Sequence, residues 1–523
     1  MAGTSGTIVR PEHTPPIRLS RLAEICAARQ APADRVGEDR LVSGISLSSQ
    51  RIRPGDLYAA LPGTRTHGAR FLAEARAAGA VAVLTDPEGA TFVSDEFPRL
   101  VVPDPRAVLG ELSAEIYDRP TTKLRLLGIT GTQGKTTTSR LIVGALEELG
   151  VRCGVVGTLG TRIAGEDVAT ALTTPEATDL QALLAVMVER GVSDAALEVS
   201  SHAVVLGRVD AAHCAVAGFT NLGRDHLDFH PTMADYFAAK AELFTPGRAE
   251  QAVVCIDDAY GRRLAERAEI PITTVGLAAG SAQGAAGHPH WQAHDVVTTA
   301  DGTRARVVGP GAPAEGISLE IALPGAFNLA NGLVALAMLA AVGHDPVAVA
   351  AALARCAGVP GRLEPIRCGQ QFSVLVDYAH KPDALEATLA TLRPLTDGKI
   401  LLVIGAGGDR DAGKRPMFGA IGSRAAEVTV VTDDNPRSED AAAIRAAILA
   451  GVDGPGVVVE LGDRRTAIRA ALRRAEPGDI VLIAGKGHET GQEVDGVVTP
   501  FDDRVVAAEE LRALLAERSG ASA

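Results

Sequence analysis

One segment, Leu124 to Thr137, constrains this chain more than any other. Its sequence, LRLLGITGTQGKTT, places an apolar strand before a glycine-rich turn and a helix. Glycines let backbone N–H groups approach an anion, and the start of a helix adds the positive end of its dipole. Lys135 supplies a point charge and the Thr136 hydroxyl suits Mg²⁺, so the segment predicts a phosphate-binding loop. Its spacing is TGTxGKT rather than GxxxxGK[ST], and an ordinary strand-turn-helix connection is the alternative.

Apolar runs alternate with helical patterns from residue 124 onward, which is typical of parallel sheets covered by helices. The 523 residues are too many for one core, and turn-rich breaks fall near residues 117–120 and 358–362. We predict an α/β fold of three domains. These are a small α/β domain over 1–120, a central P-loop ATPase-like domain with a mostly parallel sheet over 121–357, and a doubly wound, Rossmann-like domain over 358–523.

Individual elements can also be predicted from hydrophobic periodicity and turn residues. We expect an amphipathic segment over 19–28, helices over 69–78, 344–356, 440–450 and 464–475, a strand over 79–85, and a surface loop over the Gly/Ala/His-rich stretch 278–289.

Charge and sorting signals limit the class of protein. The formal net charge is −13, which argues against nucleic acid or an anionic membrane as the main partner. The polar N-terminus lacks the apolar core of a signal peptide, and 321–343 has too few apolar residues to span a bilayer. The six cysteines lack zinc-site spacing, so we expect small buried thiols in a reducing compartment. We predict a cytoplasmic protein that does not insert into membranes.

Polar residues follow two further apolar strands. Glu198 closes one strand, where its carboxylate would lie beside the phosphate loop as a Mg²⁺ ligand, a helix cap or an ion-pair partner. The next strand ends in a segment that contains Asp225, His226, Asp228 and His230, which suggests a second ion, a phosphate-facing turn or a polar surface loop.

Lysine is unusually rare. Of the 51 basic residues seven are lysines and 44 are arginines, so the surviving lysines should mark positions where a guanidinium cannot substitute. Lys240 lies in the helical run YFAAKAELF. Burial would lower the pKa of its amine and favour reaction with CO₂ to give a carbamate, whereas a solvated helix lysine is the simpler interpretation.

The ordered motifs GTxGKTT, EVSSH, TNLxxDHLDxH, GAFNxxN, GRxE, DYAHxPD, GGDRDxxKRP, DNPR and GKGHE resemble those of the Mur ligase family. The resemblance extends from about residue 43 to 503 and is greatest to members that add diaminopimelate. It implies ATP-dependent amide formation through an acyl phosphate. The reaction would join meso-diaminopimelate to UDP-N-acetylmuramoyl-L-alanyl-D-glutamate in cytoplasmic peptidoglycan precursor synthesis, in an enzyme expected to be monomeric.

The resemblance also implies residue roles. Lys135, His226 and Lys240 would be catalytic, and Mg²⁺ would be held by Thr136, Glu198, His226 and Lys240 as a carbamate. The predicted ATP-binding residues are Gly131, Thr132, Gln133, Gly134, Lys135, Thr136, Thr137, Asn328, Asn331, Arg362 and Asp377, with Tyr378 and His380 nearby. The UDP-sugar peptide would contact Ser49, Thr64, Arg65 and Thr66 in the first domain and Thr173, Thr174, Ser200 and Arg208 in the second.

Specificity for the added amino acid is expected in the third domain. The implied contacts are Arg410, Asp434, Asn435, Pro436, Arg437, Gly485 and Glu489. Diaminopimelate has a carboxylate that lysine lacks, and an arginine pairs carboxylates bidentately. The two arginines therefore favour meso-diaminopimelate, and Glu489 would complement its ammonium.

Two alternatives remain at this stage. One is another amide ligase of the same fold, such as a folylpolyglutamate synthase, which the first-domain motif SLSSQRIRPGD and DNPR disfavour. The other is a nucleotide-binding regulatory protein without catalysis. The second predicts loss of Lys135, Glu198 or Lys240, and all three are present.

Overall fold

The computed structural model describes residues 9–28, 34–277 and 289–520, which form two compact units. The first unit takes in the described residues up to 294 together with 307–317 and 330–353. The second has 295–306, 318–329 and the residues from 354 onward. Residues 278–288, most of the predicted surface loop, lie outside the described part of the chain.

The amino-terminal part of the first unit is built on a small, mostly parallel sheet. Its strands and helices are β1 Ile17–Arg18, α1 Leu19–Ala28, β2 Asp34–Val36, β3 Leu41–Val42, β4 Gly44–Ser46, β5 Asp56–Ala59, α2 Leu72–Ala77, β6 Ala82–Thr85, α3 Pro87–Ala90, β7 Arg99–Val101 and α4 Pro105–Ile116. The sheet order is β2-β7-β6-β5-β4, and only the β2–β7 pair is antiparallel. Apolar residues of α1 and α4, including Leu22 and Leu109, are buried against this sheet.

A larger sheet with helices follows. Its elements are β8 Arg125–Thr130, α5 Lys135–Glu148, β9 Cys153–Gly157, β10 Gly160–Ile163, β11 Glu166–Val168, α6 Ala177–Glu189, β12 Asp194–Glu198, α7 Ser201–Val205, β13 Val216–Phe219, α8 Met233–Ala241, β14 Ala252–Cys255, α9 Ala259–Arg267, β15 Ile272–Leu277, β16 Trp291–Thr299, β17 Gly302–Val308, β18 Ile317–Ile321, α10 Ala326–Ala341 and α11 Pro346–Arg355. The order from β11 is β11-β10-β9-β12-β8-β13-β14-β15-β16.

Strand β8 lies in the middle of this sheet and pairs in parallel with β12 and β13. Glu198 is level with Ile129, and Phe219 is level with Thr130. The carboxyl ends of the three strands therefore open at one edge, immediately before the turn at Gly131. All three strands are buried except at Arg125, as expected for a parallel sheet covered on both faces.

The second unit contains a doubly wound sheet. Its elements are β19 Glu364–Pro365, β20 Ser373–Asp377, α12 Pro382–Leu392, β21 Ile400–Ile404, α13 Arg415–Ala425, β22 Val428–Val431, α14 Ala441–Leu449, β23 Val457–Glu460, α15 Arg464–Arg474, β24 Ile480–Ala484, β25 Gly491–Val494, β26 Val497–Pro500 and α16 Asp503–Gly520. The order is β19-β20-β24-β21-β22-β23, parallel from β20 to β23. Alternate strand residues enter two separate cores, with Leu402 and Leu482 in one and Val403 and Val481 in the other.

The predicted α/β fold is confirmed. The amphipathic segment predicted over 19–28 is helix α1, and α11, α14 and α15 lie inside their predicted ranges. The helix predicted over 69–78 consists of a 3-10 turn, Gly68–Phe71, followed by α2, and the strand predicted over 79–85 is shortened to β6. The domain limits at 120/121 and 357/358 stay predictions.

Two expectations, one on the cysteines and one on membrane-spanning segments, can be compared with the described residues. The six cysteines are all free, and four of them are buried. Throughout the described ranges, no helix has the length and apolar character that crossing a bilayer requires.

A buried ion pair joins the starts of two helices in the second unit. Arg464 of α15 and Asp503 of α16 are fully buried, and Arg464 donates to both carboxylate oxygens at 2.7 and 2.8 Å. Arg464 Nη2 also donates to the Ala484 carbonyl at 3.0 Å, at the end of β24. A buried charge needs this degree of compensation, because losing one partner leaves the other unpaired.

We expect Asp503→Asn to lower the free energy of unfolding by about 3–5 kcal/mol, because it leaves the Arg464 guanidinium buried without its counter-charge. The measurement is urea unfolding of the full chain, followed by circular dichroism. Glu517→Gln is the matched control, since the Arg473–Glu517 pair is exposed and should contribute less than about 1 kcal/mol. Equal effects of the two substitutions would contradict the assignment.

Candidate active site

The turn after β8 has the geometry of an anion-binding loop. Gly131 and Gly134 adopt φ values of +150° and +86°, and α5 starts at Lys135. A Cβ on Gly131 would lie 1.9 Å from Thr220 Oγ1, and one on Gly134 would lie 2.3 Å from Asn331 Oδ1. Glycine is therefore required at both positions, both for backbone conformation and for space.

The two residues that follow β13 hold the same loop from the side. Thr220 Oγ1 donates to the Gln133 carbonyl at 2.6 Å, and the Gln133 amide donates to Asn221 Oδ1 at 3.0 Å. Lys135 Nζ folds back over the loop and donates to the carbonyls of Gly131 and Thr132 at 2.8 and 3.1 Å. The predicted residues 131–137 therefore lie together in one turn and the start of α5, with the Lys135 ammonium above the turn.

Glu198 is a buried carboxylate bonded by neutral groups. Thr136 Oγ1 donates to its Oε2 at 3.0 Å, Thr158 Oγ1 donates to the same oxygen at 2.8 Å, and the Thr158 amide donates to Oε1 at 3.1 Å. The side chain forms no ion pair with any residue that the structure describes, although it is fully buried. Arg140 interacts with this carboxylate only at longer range. A buried anion beside the Thr136 hydroxyl fits a divalent cation such as Mg²⁺.

Thr158 was not predicted from the sequence as a residue of the site. It follows β9, which is the neighbour of β12 in the sheet, so its position beside Glu198 is a consequence of strand order. A polar residue directly after an apolar strand was the available signal, but the sequence does not reveal which strands are neighbours.

A threonine and serine cluster continues from Glu198 along the same edge. Thr174 Oγ1 donates to the Glu198 carbonyl at 2.7 Å and accepts from the Ser200 amide at 3.2 Å. Thr173 Oγ1 lies 3.2 Å from Thr158 Oγ1, and Arg208 Nη1 donates to the Thr174 carbonyl at 3.4 Å. The four residues predicted to hold the UDP-sugar peptide in this part of the chain are therefore neighbours.

The residues predicted for the same substrate in the amino-terminal sheet region are more dispersed. Ser49 is buried and donates to Glu74 Oε2 at 2.9 Å. Thr64, Arg65 and Thr66 form an exposed turn after β5.

Lys240 points at the phosphate loop from α8. Its Nζ is buried and donates to the Gly131 carbonyl at 2.8 Å, the same oxygen that Lys135 Nζ contacts. Burial, and then the nearby charge of Lys135, lower the pKa of the Lys240 amine well below its usual value. The neutral amine is therefore populated at lower pH than in a solvated lysine, and a neutral amine is the form that reacts with CO₂.

Tyr236 connects the predicted catalytic groups and was missed in the sequence. The ring is 4.7 Å from Lys240 Nζ and 6.1 Å from the His226 ring, and its hydroxyl is 3.2 Å from Thr132 Oγ1. Tyr236 and Lys240 are four residues apart and so share one face of α8, which is the signal that could have found it. Burial raises the pKa of Tyr236 to about 12, so it remains a hydrogen-bonding phenol at neutral pH.

The histidines after β13 form a ring cluster. The His226 ring lies 4.8 Å from that of His202, and His202 stacks on Phe229 at 4.0 Å. His230 is buried, with its Nε2 2.9 Å from Ser201 Oγ. His226 has a positive φ of +53°, and its side chain is 39% exposed with its Nε2 3.5 Å from Asp225 Oδ2.

The predicted nucleotide contacts of the third domain also form a group. Asp377, at the end of β20, accepts from the amides of Leu363 and Ala379 at 2.8 and 2.9 Å, and burial raises its pKa. The Arg362 guanidinium lies 4.8 Å from the Tyr378 ring, which also contacts the His380 ring at 4.5 Å. Asn328 is separate from this group, and its Nδ2 donates to the Pro324 carbonyl at 2.8 Å.

The residues predicted to bind the amino acid lie at the carboxyl ends of β21, β22 and β24. A Cβ on Gly407 would lie 2.9 Å from Arg437 Nη1 and 3.8 Å from Arg410 Cγ, so both arginines flank one glycine. Arg437 has a φ of +54° and donates from Nη1 to the Gly408 carbonyl at 2.7 Å. Pro436 packs against Gly408, where an added Cβ would lie 1.9 Å from the Pro436 carbonyl oxygen. A Cβ on Gly485 would lie 2.8 Å from Asp434 Oδ2.

Family models match three segments of the chain. They are described as the Mur ligase family catalytic domain over residues 41–117, the Mur ligase middle domain over 129–339 and the Mur ligase glutamate ligase domain over 361–487. The chain belongs to the Mur ligase family. The resemblance found in the sequence motifs is thereby confirmed.

Relatives in this family match over nearly the whole chain. A UDP-N-acetylmuramoyl-L-alanyl-D-glutamate--2,6-diaminopimelate ligase of Streptomyces avermitilis is 50% identical and covers 96% of this chain and 98% of its own length. One of the same name from Corynebacterium glutamicum is 48% identical over 94% of this chain and 95% of its own. A solved structure of an enzyme of that name is 33% identical, with a TM-score of 0.68, and covers 91% of this chain and 96% of its own.

We expect Gly131→Ala to weaken binding of Mg·ADP by about tenfold or more, because its Cβ would overlap Thr220 Oγ1 and distort the loop. Isothermal titration calorimetry measures the dissociation constant. Gly150→Ala is the control, since Gly150 also has a positive φ, +72°, but an added Cβ meets nothing within 4 Å. Unchanged affinity in Gly131→Ala would rule out the loop as the nucleotide site.

Proposed function

We propose that this Mur ligase joins meso-diaminopimelate to the D-glutamate of UDP-N-acetylmuramoyl-L-alanyl-D-glutamate, with ATP converted to ADP and phosphate. The near full-length similarity to ligases of that name supports the reaction. The observation that carries the choice of amino acid is the pair Arg410 and Arg437 at Gly407. We assign the reaction to the cytoplasm and the active form to a monomer.

The reaction has two steps. An oxygen of the glutamate γ-carboxylate attacks the γ-phosphorus of ATP, the bond to the bridging oxygen breaks, and ADP leaves. The diaminopimelate amine then attacks the carbonyl carbon of the acyl phosphate, loses a proton and expels phosphate. Negative charge on the transferring phosphoryl group must be neutralised by preorganised positive groups. We assign this task to Lys135 Nζ, which is held over the loop by its bond to the Gly131 carbonyl.

Nucleotide binding is assigned to the backbone of residues 131–134, to Thr136 and Thr137, and to Asn331, which lies against Gly134. Asn328 is proposed to face the adenine, Arg362 a nucleotide phosphate, and Asp377 the nucleotide from the third domain. When bound, Mg²⁺ would supply further positive charge at the phosphates. Thr136, Glu198, His226 and a carbamate on Lys240 are the residues proposed to hold it.

The carbamate proposal rests on the shared carbonyl at Gly131. Two ammonium groups on one buried oxygen repel, whereas one ammonium and one carbamate attract. Formation is balanced as amine plus CO₂ giving carbamate and a proton, which requires the neutral amine. The depressed pKa of Lys240 favours that form.

The other two substrates are assigned to the remaining clusters. Ser49, the turn 64–66, Thr173, Thr174, Ser200 and Arg208 are proposed to hold the UDP-sugar peptide. For diaminopimelate, Arg410 and Arg437 would pair the distal carboxylate and Glu489 would face its ammonium, with Asp434 and Asn435 beside them. Pro436 and Gly485 shape the backbone around it.

We expect purified protein to release phosphate with ATP, UDP-N-acetylmuramoyl-dipeptide and meso-diaminopimelate, and at least tenfold more slowly with L-lysine, which leaves the two arginines without a carboxylate. A coupled phosphate assay measures both rates. Turnover with lysine alone would overturn the specificity. Nucleotide binding without turnover on either amine would favour the regulatory alternative.

We expect Lys240→Arg to lose most activity, because a guanidinium does not form this carbamate. An independent measurement is ¹³C NMR of protein equilibrated with ¹³C-bicarbonate, where a carbamate signal should be present in the wild type and absent in the variant. Lys399→Arg, on the surface with its Nζ 2.8 Å from Glu476, is the control. Full turnover by Lys240→Arg would refute the role.

A further inference from the structure

Lys486 is a fully buried lysine that the motifs contain but no role explains. Its side chain has no exposed surface, and its Nζ makes three hydrogen bonds. These go to Asn435 Oδ1 at 3.1 Å, Glu489 Oε2 at 3.1 Å and the Gly491 carbonyl at 2.7 Å. An ammonium has three donors, so all of them are used.

This site is suited to lysine and not to arginine. A guanidinium is planar, larger and carries five donors, whereas the three acceptors around Lys486 surround a single atom. The chain uses arginine at 44 of its 51 basic positions, so lysine here is a specific requirement.

The bonds of Lys486 set the orientation of Asn435. Its Oδ1 accepts from Lys486 Nζ and from the Glu493 amide at 3.0 Å, so its Nδ2 is directed the other way. That Nδ2 donates to Glu489 Oε2 at 2.8 Å. With the ammonium on one side and a backbone N–H on the other, only one orientation of the amide satisfies every group.

The same network orients Glu489. Its Oε2 accepts from both Lys486 and Asn435, while its Oε1 has no hydrogen-bond partner in the described residues. The Glu489 side chain is one-third exposed, at 33%. The protein thus holds one oxygen inside and leaves the other for a ligand.

We propose that Lys486 is a positioning residue for the amino-acid substrate, holding Glu489 and Asn435 so that Glu489 Oε1 meets the substrate ammonium. This rests on the proposed function, in which Glu489 binds that ammonium. Lys486 acts only through these two residues. Its removal should therefore affect binding of the amino acid and leave the other two substrates unaffected.

The test is steady-state kinetics of Lys486→Met, which keeps an unbranched side chain one heavy atom shorter and removes all three donors. We expect the KM for meso-diaminopimelate to rise about tenfold, the effect of losing a charged hydrogen bond, while the KM values for ATP and the UDP-sugar dipeptide stay within about twofold. Lys486→Gln, which keeps a donor, is made in parallel because removal of a buried ammonium can destabilise the fold. Thermal melting establishes which variants are folded, and Lys399→Met is the surface control.

A double-substitution cycle separates positioning from a structural role. In a Glu489→Gln background, Lys486→Met should raise the KM for meso-diaminopimelate by less than about twofold more, because its effect passes through Glu489. An unchanged KM in a folded single variant, equal rises for all three substrates, or additive effects in the cycle would each overturn the proposal. Failure of the wild type to use meso-diaminopimelate would instead refute the proposed function.

Discussion

The parallel pairing of β8 with β12 and β13 is the constraint on which the phosphate site depends. It brings three strand ends to one edge and so places the loop after β8 between Glu198 and Thr220. Each neighbour then makes one hydrogen bond to the loop region. Glu198 accepts from the Thr136 hydroxyl, and the Thr220 hydroxyl donates to the Gln133 carbonyl. A shift of either strand by one residue would turn these side chains to the opposite face of the sheet.

Charged side chains are buried at several places in this structure, and each of them is compensated in a different way. Arg464 has a full counter-ion in Asp503, and Lys486 has three acceptors, one of them a carboxylate. Glu198 has only neutral donors, and Lys240 shares a carbonyl with another lysine. The first two therefore have a carboxylate partner within the chain, whereas the hydrogen bonds of the last two are to neutral groups. Burying a charge without a counter-charge is costly, so positions of the second kind are candidates for functional sites.

Much of the fold could be predicted, because hydrophobic period and capping act locally. The amphipathic segment predicted over 19–28 is helix α1, and α14, predicted from 440, begins after Asp440, which caps it. The prediction over 69–78 was less accurate, since its first turn is a 3-10 helix capped by the His67 side chain. Within the site, Gly131, Lys135 and Glu198 carried recognisable signals. Thr158 and Tyr236 carried weaker ones, because the groups that they contact, Glu198 and Thr132, are distant in sequence.

The sequence by itself determined the α/β class, the phosphate loop, the family and the short set of lysines, because each is written in residue type and local spacing. Tertiary structure alone decided which groups meet. Lys240 approaches Gly131 across 109 positions of sequence, and Lys486 meets Asn435 across 51. Burial at those meeting points lowers the pKa of one lysine and leaves the other fully bonded. Solvent exclusion and distance are properties of the packed chain, so no local pattern specifies them.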